Sequence, residues 1–350
     1  MTDRKRIPVA VLGATGSVGQ RFVELLQGHP WFELRAVAAS DRSAGRAYRE
    51  AARWLQAAPL SPEIGGLPVR PCEPDAVGDC PLVFSALDSS VAGEVEKAFA
   101  AAGRVVVSNS KNHRMDPDVP LVVPEVNPDH VELVRAQPGP GAILTNPNCS
   151  TIGLVLALKP LADAFGIESV NVVTMQALSG AGIPGVPSLS ALDNVIPFIG
   201  GEEEKIENET RKILGRLDGA RIAPADVTVS AACNRVSVID GHLECVSVKL
   251  RKKASAGDLE SAWRDFSAEP QARKLPSAPA APIVFLREDD APQPRLHRDL
   301  GGGMAASVGR LRPCPLLDWK FVTLSHNTIR GAAGGSLLLA ELAVARGLLK

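Results

Sequence analysis

The stretch "IPVAVLGATGSVGQRFVELLQG", residues 7–28, decides the fold. Its first six residues form a short apolar run that is typical of a buried strand, and the residues after the glycines place Phe22, Leu25 and Leu26 on one face of a helix. A second apolar run, "FELRAVAAS" at 32–40, completes a strand-helix-strand unit. Such a unit predicts an α/β domain with a doubly wound parallel sheet of the Rossmann type.

The turn between this strand and this helix carries three glycines in a GxxGxxG pattern. Glycine lets the backbone turn tightly and approach a pyrophosphate, and the N–H groups at a helix N-terminus attract its negative charge. A strand-to-helix turn that binds no ligand is the structural alternative, but the position within a strand-helix-strand unit favours a dinucleotide site. The predicted contacts are Gly13, Thr15, Gly16, Ser17, Val18 and Gly19.

The end of the second strand favours NADP as the cofactor. NAD sites usually have a carboxylate there for the ribose hydroxyls, whereas this chain has Ser40, followed by Arg42 and Ser43. A guanidinium and two hydroxyls are suited to a 2′-phosphate. Asp41 leaves NAD open, and an exposed polar turn is the structural alternative for each residue.

Composition excludes several classes of protein. The 350 residues have 45% hydrophobic and 22% charged content and a formal net charge of −1, so neither a nucleic acid nor a membrane is an expected partner. The six cysteines form no C-x-x-C pair and no His–Cys spacing, so no metal site is predicted. No signal-type segment is found, and we expect a cytoplasmic protein with reduced thiols.

The length and the order of the predicted elements suggest two domains. The runs "PLVFSAL" and "RVVVSNS" extend the first sheet, and we expect the dinucleotide-binding domain to span 1–148. Strands dominate after Cys149, which predicts a second, α+β domain over 149–326, and the closing helix in 327–350 is expected to return to the first domain. The Pro- and Gly-rich residues 274–303 are expected to form a long loop.

One cysteine begins a predicted core helix in "TNPNCSTIGLVLALKPL", residues 145–161. At a helix N-terminus the unpaired N–H groups stabilise a thiolate and can hold an oxyanion. The alternative for Cys149 is a small, buried and inert residue, and its position alone does not decide between the two.

The segment "CNRVSVIDGH", residues 233–242, offers groups that a nucleophilic cysteine needs. Arg235 can anchor an anionic substrate, and His242 can act as an acid or base. The Asp-Gly pair before His242 marks a tight hairpin, so we expect this imidazole at a strand start where it is easily exposed. Cys233 and Cys245 have apolar neighbours and are expected to lie in the core.

Six blocks in the same order resemble aspartate-semialdehyde dehydrogenase, in the branch typical of archaea and fungi. They are "GATGSVGQRF", "SNSKNHRMDPDVPLVVPEVNPDH", "TNPNCST", "MQALSGAGIPGVPSLSALDNVIPFIGGEEEKIENET", "CNRVSVIDGH" and "NTIRGAAGG". The resemblance implies reversible, NADP-dependent conversion of 4-phosphoaspartate to aspartate 4-semialdehyde and phosphate. It also implies a catalytic and dimerisation domain like that of glyceraldehyde-3-phosphate dehydrogenase, and a homodimer or homotetramer, to which the aliphatic 188–200 segment is expected to contribute.

The resemblance also implies roles for individual residues. Cys149 would form a thioester, His242 would be the general acid-base and Gln176 would orient the substrate. Arg235 would bind the α-carboxylate and Glu202 the α-amino group, with Glu203, Glu204 and Glu207 as competing carboxylates. The phosphate candidates are Lys205, Lys111 and Asn112, and the candidates near the nicotinamide are Ser179, Gly180, Asn327 and Thr328. Ile183 and Ser237 depart from the family pattern, where tyrosine and proline are common.

Two other functions have to be distinguished from this one. Malonyl-CoA or succinyl-CoA reductase uses the same cysteine chemistry on a substrate that has no amino group, and Glu202 argues against it. A dinucleotide-binding sensor or scaffold would not need Cys149, Gln176, Arg235 and His242 together.

Overall fold

The computed structural model describes residues 6–349, which form two compact units. The first contains residues 6–122, 131–146 and 336–349, and the second contains 123–130 and 147–335. These bounds differ from the predicted domains in two places, because residues 123–130 belong to the second unit and the chain returns to the first unit at 336 rather than at 327.

The first unit is built on a sheet of six parallel strands in the order β3-β2-β1-β4-β5-β6. Its strands are β1 Ile7–Leu12, β2 Phe32–Ala38, β3 Val69–Arg70, β4 Leu82–Ser85, β5 Val105–Ser108 and β6 Ala142–Thr145. The centre of β1, from Val9 to Leu12, has no exposed surface, as expected of a parallel strand covered on both faces. The predicted doubly wound sheet is confirmed.

Helices join these strands. They are α1 Ser17–Leu26, α2 Tyr48–Ala51, α3 Pro62–Gly65 and α4 Ser89–Ala101, with 3₁₀ turns at Pro74–Val77 and Pro128–Ala136. The last helix of the chain, α11 Gly334–Ala345, belongs to this unit from Ser336 onward. It is apolar on all sides and buried, and its Glu341 pairs with His29 at 2.9 Å inside the unit.

The second unit is built on a mixed sheet in the order β10-β7-β11-β14-β13-β12. Its strands are β7 Ile167–Gln176, β10 Thr228–Arg235, β11 His242–Leu250, β12 Ile283–Phe285, β13 Ala306–Pro313 and β14 Trp319–Ser325, and β8 Arg216–Asp218 pairs with β9 Arg221–Ala223 apart from it. The long helix α5, Cys149–Phe165, packs on one face of the sheet. Leu154, Leu158, Val172, Val246 and Phe321 form part of the core between them.

The remaining helices of the second unit are short, apart from α7. They are α6 Ser188–Ala191, α7 Glu202–Ile213, α8 Ala256–Arg264, α9 Glu269–Ala272 and α10 Pro294–His297, with 3₁₀ turns at Leu178–Ala181 and Leu300–Gly303 and a π-helix at Ile329–Ala333. The predicted loop over 274–303 is wrong in part, because it contains β12, which pairs with β13, and α10. Strand β12 has only three residues, which is too short to give a clear pattern within a Pro- and Gly-rich segment.

Side chains of β11 alternate between the covered and the open face of the sheet. Cys233 on β10 is buried, as predicted, but the prediction for Cys245 is wrong, because it lies on the open face and is exposed. His242 and Glu244 lie on the covered face. No helix in the described residues is long and apolar enough to cross a membrane. Residues 6–349 contain no group of three or more metal-ligating side chains that could hold an ion.

Candidate active site

Cys149 is the first residue of α5, and the turn before it is tightly held. Asn148 is the N-cap, and its Oδ1 accepts hydrogen bonds from the backbone N–H groups of Ser150 (3.0 Å) and Thr151 (3.3 Å). The cysteine is half-buried at the N-terminus of a 17-residue helix. The positive end of the helix dipole therefore lies at its sulfur, which favours the thiolate.

Two glutamates of α7 fix this turn from the other side. The backbone N–H of Asn148 donates to Glu209 Oε2 at 2.6 Å, and Asn148 Nδ2 donates to Glu202 Oε2 at 2.8 Å. Glu202 and Glu209 lie two turns apart on one face of the helix, so one face of α7 holds both the backbone and the side chain of the N-cap residue. Glu209 was not among the predicted residues, and only its helical spacing from Glu202 could have indicated it.

His242 lies against the sulfur of Cys149. Its Nε2 is 3.1 Å from Sγ, and its Nδ1 accepts the backbone N–H of Ala177 at 3.0 Å. Because Nδ1 is an acceptor, the neutral ring carries its proton on Nε2 and donates it toward the sulfur. The expectation of an exposed imidazole at a tight hairpin is wrong in both respects. Strand β7 lies between β10 and β11, so these two strands form no hairpin. His242 has no exposed surface, since it lies on the covered face of β11 between β7 and β14.

Burial keeps this imidazole uncharged. It lowers the pKa of His242 from 6.5 to about 3, and the positive charges of Arg235 and His326 act in the same direction. An imidazolium–thiolate pair is therefore disfavoured here. The groups that stabilise a thiolate are the Nε2–H hydrogen bond, the helix N-terminus and the guanidinium of Arg235, which is close enough to Cys149 for the two charges to interact.

Neighbouring strands present their polar residues at the same level of the sheet. Arg235 on β10 pairs with Gln176 on β7, and His242 on β11 pairs with Ser325 on β14. All four side chains are buried. Arg235 Nη1 donates to the carbonyl of Ala177 at 2.6 Å, so the arginine and the imidazole share one backbone segment as their support.

The geometry separates the glutamates that the sequence left as competitors. Glu202 Oε1 accepts from Lys205 Nζ at 2.5 Å and its Oε2 from Gln176 Nε2 at 3.4 Å. Burial opposes ionisation of Glu202, but Lys205 and the two amides outweigh it and lower the pKa of this carboxyl, so it is charged. Glu203 and Glu207 instead accept backbone N–H groups of β10, and Glu204 is exposed.

The loop that contains Gly180 lies against Arg235 and His242. An added Cβ at Gly180 would lie 3.0 Å from Arg235 Nη1 and 3.3 Å from His242 Nε2, so the absence of a side chain at this position lets the loop contact both residues. Asn327 ties this loop down, because its Nδ2 donates to Ser179 Oγ at 2.7 Å and its Oδ1 accepts the N–H of Gly241 at 2.8 Å. Thr328 is buried beside Asn327, with its N–H directed to His326 Nδ1.

The π-helix packs against the cysteine itself. An added Cβ on Gly331 would lie 2.7 Å from Cys149 Cβ and 3.0 Å from Cys149 Cα. The residue before it, Arg330, is fully buried and forms two hydrogen bonds, of 2.9 and 2.5 Å, with the carboxylate of Glu125. Neither Arg330 nor Glu125 was predicted, since a π-helix has no reliable sequence signal.

The glycine turn of the first unit has the geometry that a phosphate site needs. Gly13 has φ +70°, and an added Cβ on Gly19 would lie 2.1 Å from the carbonyl oxygen of Gly13. Gly16 supplies no side-chain cap to the first turn of α1, where Ser17 and Val18 follow Thr15 and Gly16, so the N–H groups of this turn can bind an anion. These residues fit a pyrophosphate.

The other predicted contacts of the first unit lie at turns. The carbonyl of Ser40 accepts the N–H of Ser43 at 2.8 Å, and the side chains of Ser40 and Arg42 are exposed. Lys111 and Asn112 are also exposed, but the amide of Asn112 already donates to the carbonyl of Ser89 at 3.0 Å and accepts from Ser110 Oγ at 2.5 Å.

Comparisons with known proteins identify the family. A family model described as the semialdehyde dehydrogenase NAD-binding domain matches residues 8–134, and one described as the dimerisation domain matches 158–330. An aspartate-semialdehyde dehydrogenase of Cryptococcus neoformans is 50% identical over 100% of both chains. One from Methanothermobacter thermautotrophicus is 50% identical over 96% of this chain and 98% of its own. The crystal structure of the Candida albicans enzyme with NADP is 46% identical, with a TM-score of 0.92, over 98% of this chain and 99% of that one.

Proposed function

The chain belongs to the aspartate-semialdehyde dehydrogenase family, and on that premise we propose that it interconverts 4-phospho-L-aspartate and L-aspartate 4-semialdehyde with NADP and phosphate. This reaction serves the biosynthesis of lysine, threonine, methionine and isoleucine. The observation that carries the proposal is the 3.1 Å contact between Cys149 and a neutral His242 at the N-terminus of α5.

Cys149 is the nucleophile. In the biosynthetic direction its thiolate attacks the acyl carbon, an S–C bond forms, the C–O bond to phosphate breaks, and a thioester remains on the enzyme. When NADPH is bound, it supplies the hydride that reduces this thioester. The tetrahedral adduct on the sulfur then collapses to the aldehyde and regenerates the thiolate.

His242 acts as a hydrogen-bond donor in this arrangement, and not as the general acid-base that the family resemblance implied. Its Nε2–H points at the sulfur, so it stabilises first the thiolate and then the oxygen of the tetrahedral adduct. It does not take the thiol proton from Cys149, because Nε2 already carries one and Nδ1 is occupied by the N–H of Ala177. That proton leaves to solvent.

The charged groups around the pair suit an amino-acid substrate. Arg235 binds the α-carboxylate with a planar fork, and the ionised Glu202 binds the α-ammonium. Gln176 holds the reacting group through its amide, and Lys205, beside Glu202, is the phosphate candidate of the second unit. Lys111 and Asn112, in the first unit, stay predictions for the phosphate. A CoA thioester would leave Glu202 without an ammonium partner, which disfavours malonyl-CoA or succinyl-CoA reduction.

The glycine turn, from Gly13 to Gly19, holds the pyrophosphate of NADP, and Arg42 with Ser40 and Ser43 holds its 2′-phosphate. Ser179, Gly180, Asn327 and Thr328 line the nicotinamide side. The bridge from Asn327 to Ser179 and to Gly241 supports this by keeping three loops together.

The matched dimerisation domain indicates an oligomer. Leu189, Leu192, Val195 and Phe198 are between 56% and 93% exposed, although large and apolar, and they lie within one short segment. We propose that this segment and the open face of the mixed sheet form a homodimer, which can pair to a tetramer; sedimentation as a monomer would refute it. A cytoplasmic location stays a prediction.

The decisive experiment is an initial-rate assay of aspartate 4-semialdehyde oxidation. We expect a rate that depends on phosphate and that is higher with NADP⁺ than with NAD⁺. Reduction of malonyl-CoA by NADPH without any phosphate-dependent oxidation of the semialdehyde would overturn the proposed substrate. Binding of NADPH without turnover of either substrate would indicate a sensor.

A further inference from the structure

A second polar level lies directly beneath the catalytic residues of the mixed sheet. Glu244 follows His242 by two residues on β11 and therefore shares its covered face. It pairs with Thr174 on β7 and Thr323 on β14, and all three side chains are buried. The apolar core begins only at the next level, with Val172, Val246 and Phe321.

The helix above the sheet makes room for this level. Gly153 lies one turn after Cys149 on the same face of α5, and an added Cβ there would lie 2.5 Å from Ser325 Oγ and 3.8 Å from Glu244 Oε1. One turn of helix and two residues of strand both advance about 6 Å. Cys149 therefore lies over His242 at one level, and Gly153 over Glu244 at the next.

Polar atoms at this level and at the edge of the level above it lack partners. Within residues 6–349, both carboxyl oxygens of Glu244 and the hydroxyl of Ser325, which pairs with His242, are buried without a hydrogen bond. Buried polar groups in proteins are normally satisfied, if not by protein then by ordered water. A carboxyl group and a hydroxyl that both approach Gly153 form a site polar enough for such water.

Burial strongly favours the uncharged form of this carboxyl group and raises the pKa of Glu244 well above its usual range. The titratable groups around it are His242 and Cys245 on its own strand and Cys233 on β10, with Cys149 one helical turn before Gly153 on α5. The neighbouring positions on β7, β14 and α5 are Thr174, Thr323, Ser325 and Gly153, which do not titrate. No positive charge among these neighbours would compensate a carboxylate.

We propose that Glu244 is a positioning residue of the Cys149–His242 pair and that it acts as an uncharged carboxylic acid. With the hydroxyl of Ser325 it binds ordered water and forms a polar but uncharged layer beneath the pair. This layer supports β11 under His242 without placing a negative charge near the thiolate. The inference rests on the proposed roles of Cys149 and His242.

The test compares Glu244→Gln, which keeps the shape and polarity without an ionisable proton, with Glu244→Leu, which removes the polarity. The exposed Glu168→Gln on β7 is the control for the same chemical change elsewhere in the sheet. Alkylation of Cys149 by iodoacetamide is followed across pH on its own peptide by mass spectrometry, and kcat and KM are measured over the same range.

For Glu244→Gln we expect a thiol pKa within about 0.3 of the wild type, a kcat within about threefold at pH 7, and an alkaline fall in kcat displaced to higher pH. For Glu244→Leu we expect kcat to fall at least tenfold with KM nearly unchanged. If Gln lowers the thiol pKa by a unit or more, Glu244 is ionised in the wild type and the proposal is wrong.

A wild-type kcat and pH profile in Glu244→Leu would also overturn it. If the Leu variant does not fold, the proposal is tested by the thiol pKa and the alkaline pH profile of the Gln variant alone. Alkylation needs no substrate, so a failure of the proposed reaction remains distinguishable from a failure of this inference.

Discussion

The contact between Gly331 and Cys149 predicts that one added methyl group disables the enzyme without unfolding it. In Gly331→Ala the new Cβ would lie 2.7 Å from Cys149 Cβ, roughly 0.8 Å closer than carbon atoms normally approach. Cys149 cannot retreat freely, because Asn148 is held by Glu202 and Glu209. We therefore expect the sulfur or the π-helix to shift by about 0.5–1 Å.

A displacement of that size is costly for chemistry and moderate for stability. Misplacing a reacting atom by about 1 Å lowers rates by about a hundredfold, whereas overpacking costs about 1–3 kcal/mol. The assay measures kcat, the alkylation rate of Cys149 and the urea midpoint. Gly257→Ala in α8 is the matched control, because its nearest neighbour would be 3.8 Å away and alanine favours a helix. A kcat within threefold of the wild type in Gly331→Ala would refute the reasoning.

Four further outcomes can be measured. Cys149→Ala should lower kcat at least about a thousandfold and leave NADPH binding, followed by fluorescence, nearly unchanged. His242→Asn should lower kcat about 10²–10⁴-fold with the thiol still alkylatable. Arg235→Lys should raise the KM for the semialdehyde about 10–100-fold, since a bidentate contact is lost. Because the pKa of His242 falls to about 3 and that of His130 to about 4, the unfolded chain binds these protons first. The free energy of unfolding should therefore decrease as the pH falls from about 6.5. Its dependence on pH, measured by urea unfolding, should be weaker in His242→Asn.

Much of the first unit was predictable because its signals are local. The strand, the three glycines and the amphipathic helix lie within 22 consecutive residues, and each has a clear physical reason in the sequence. The helix start at Cys149 was predicted in the same way, from an Asn-Pro-Asn turn before an apolar run, but this position alone left open whether the cysteine is a nucleophile. Arg235 and His242 were candidates by residue type, and their individual roles came from the family resemblance, because they lie on strands far along the chain.

What could not be predicted depends on how separate elements pack. Neighbouring residues of a helix differ by about 100° around its axis, so only the packing of α7 decides that Glu202 faces Asn148. The prediction that His242 is exposed was wrong because the local sequence contains no information about the strands that lie beside it. Glu209, Glu244 and Arg330 resemble ordinary surface charges in the sequence, and only their burial indicates otherwise.

The remaining carboxylates of α7 have a consequence for how chains can associate. Glu207 accepts the N–H of Ala231 and Glu203 that of Cys233, while the N–H of Arg235 donates to the carbonyl of Ile196. These are alternate residues along β10, the outermost strand on that side of the sheet. A strand whose outward donors are already taken is a poor template for an incoming strand. The helix that holds the turn before Cys149 thus also protects this edge of the sheet, because a partner chain cannot extend the sheet by pairing a strand with β10.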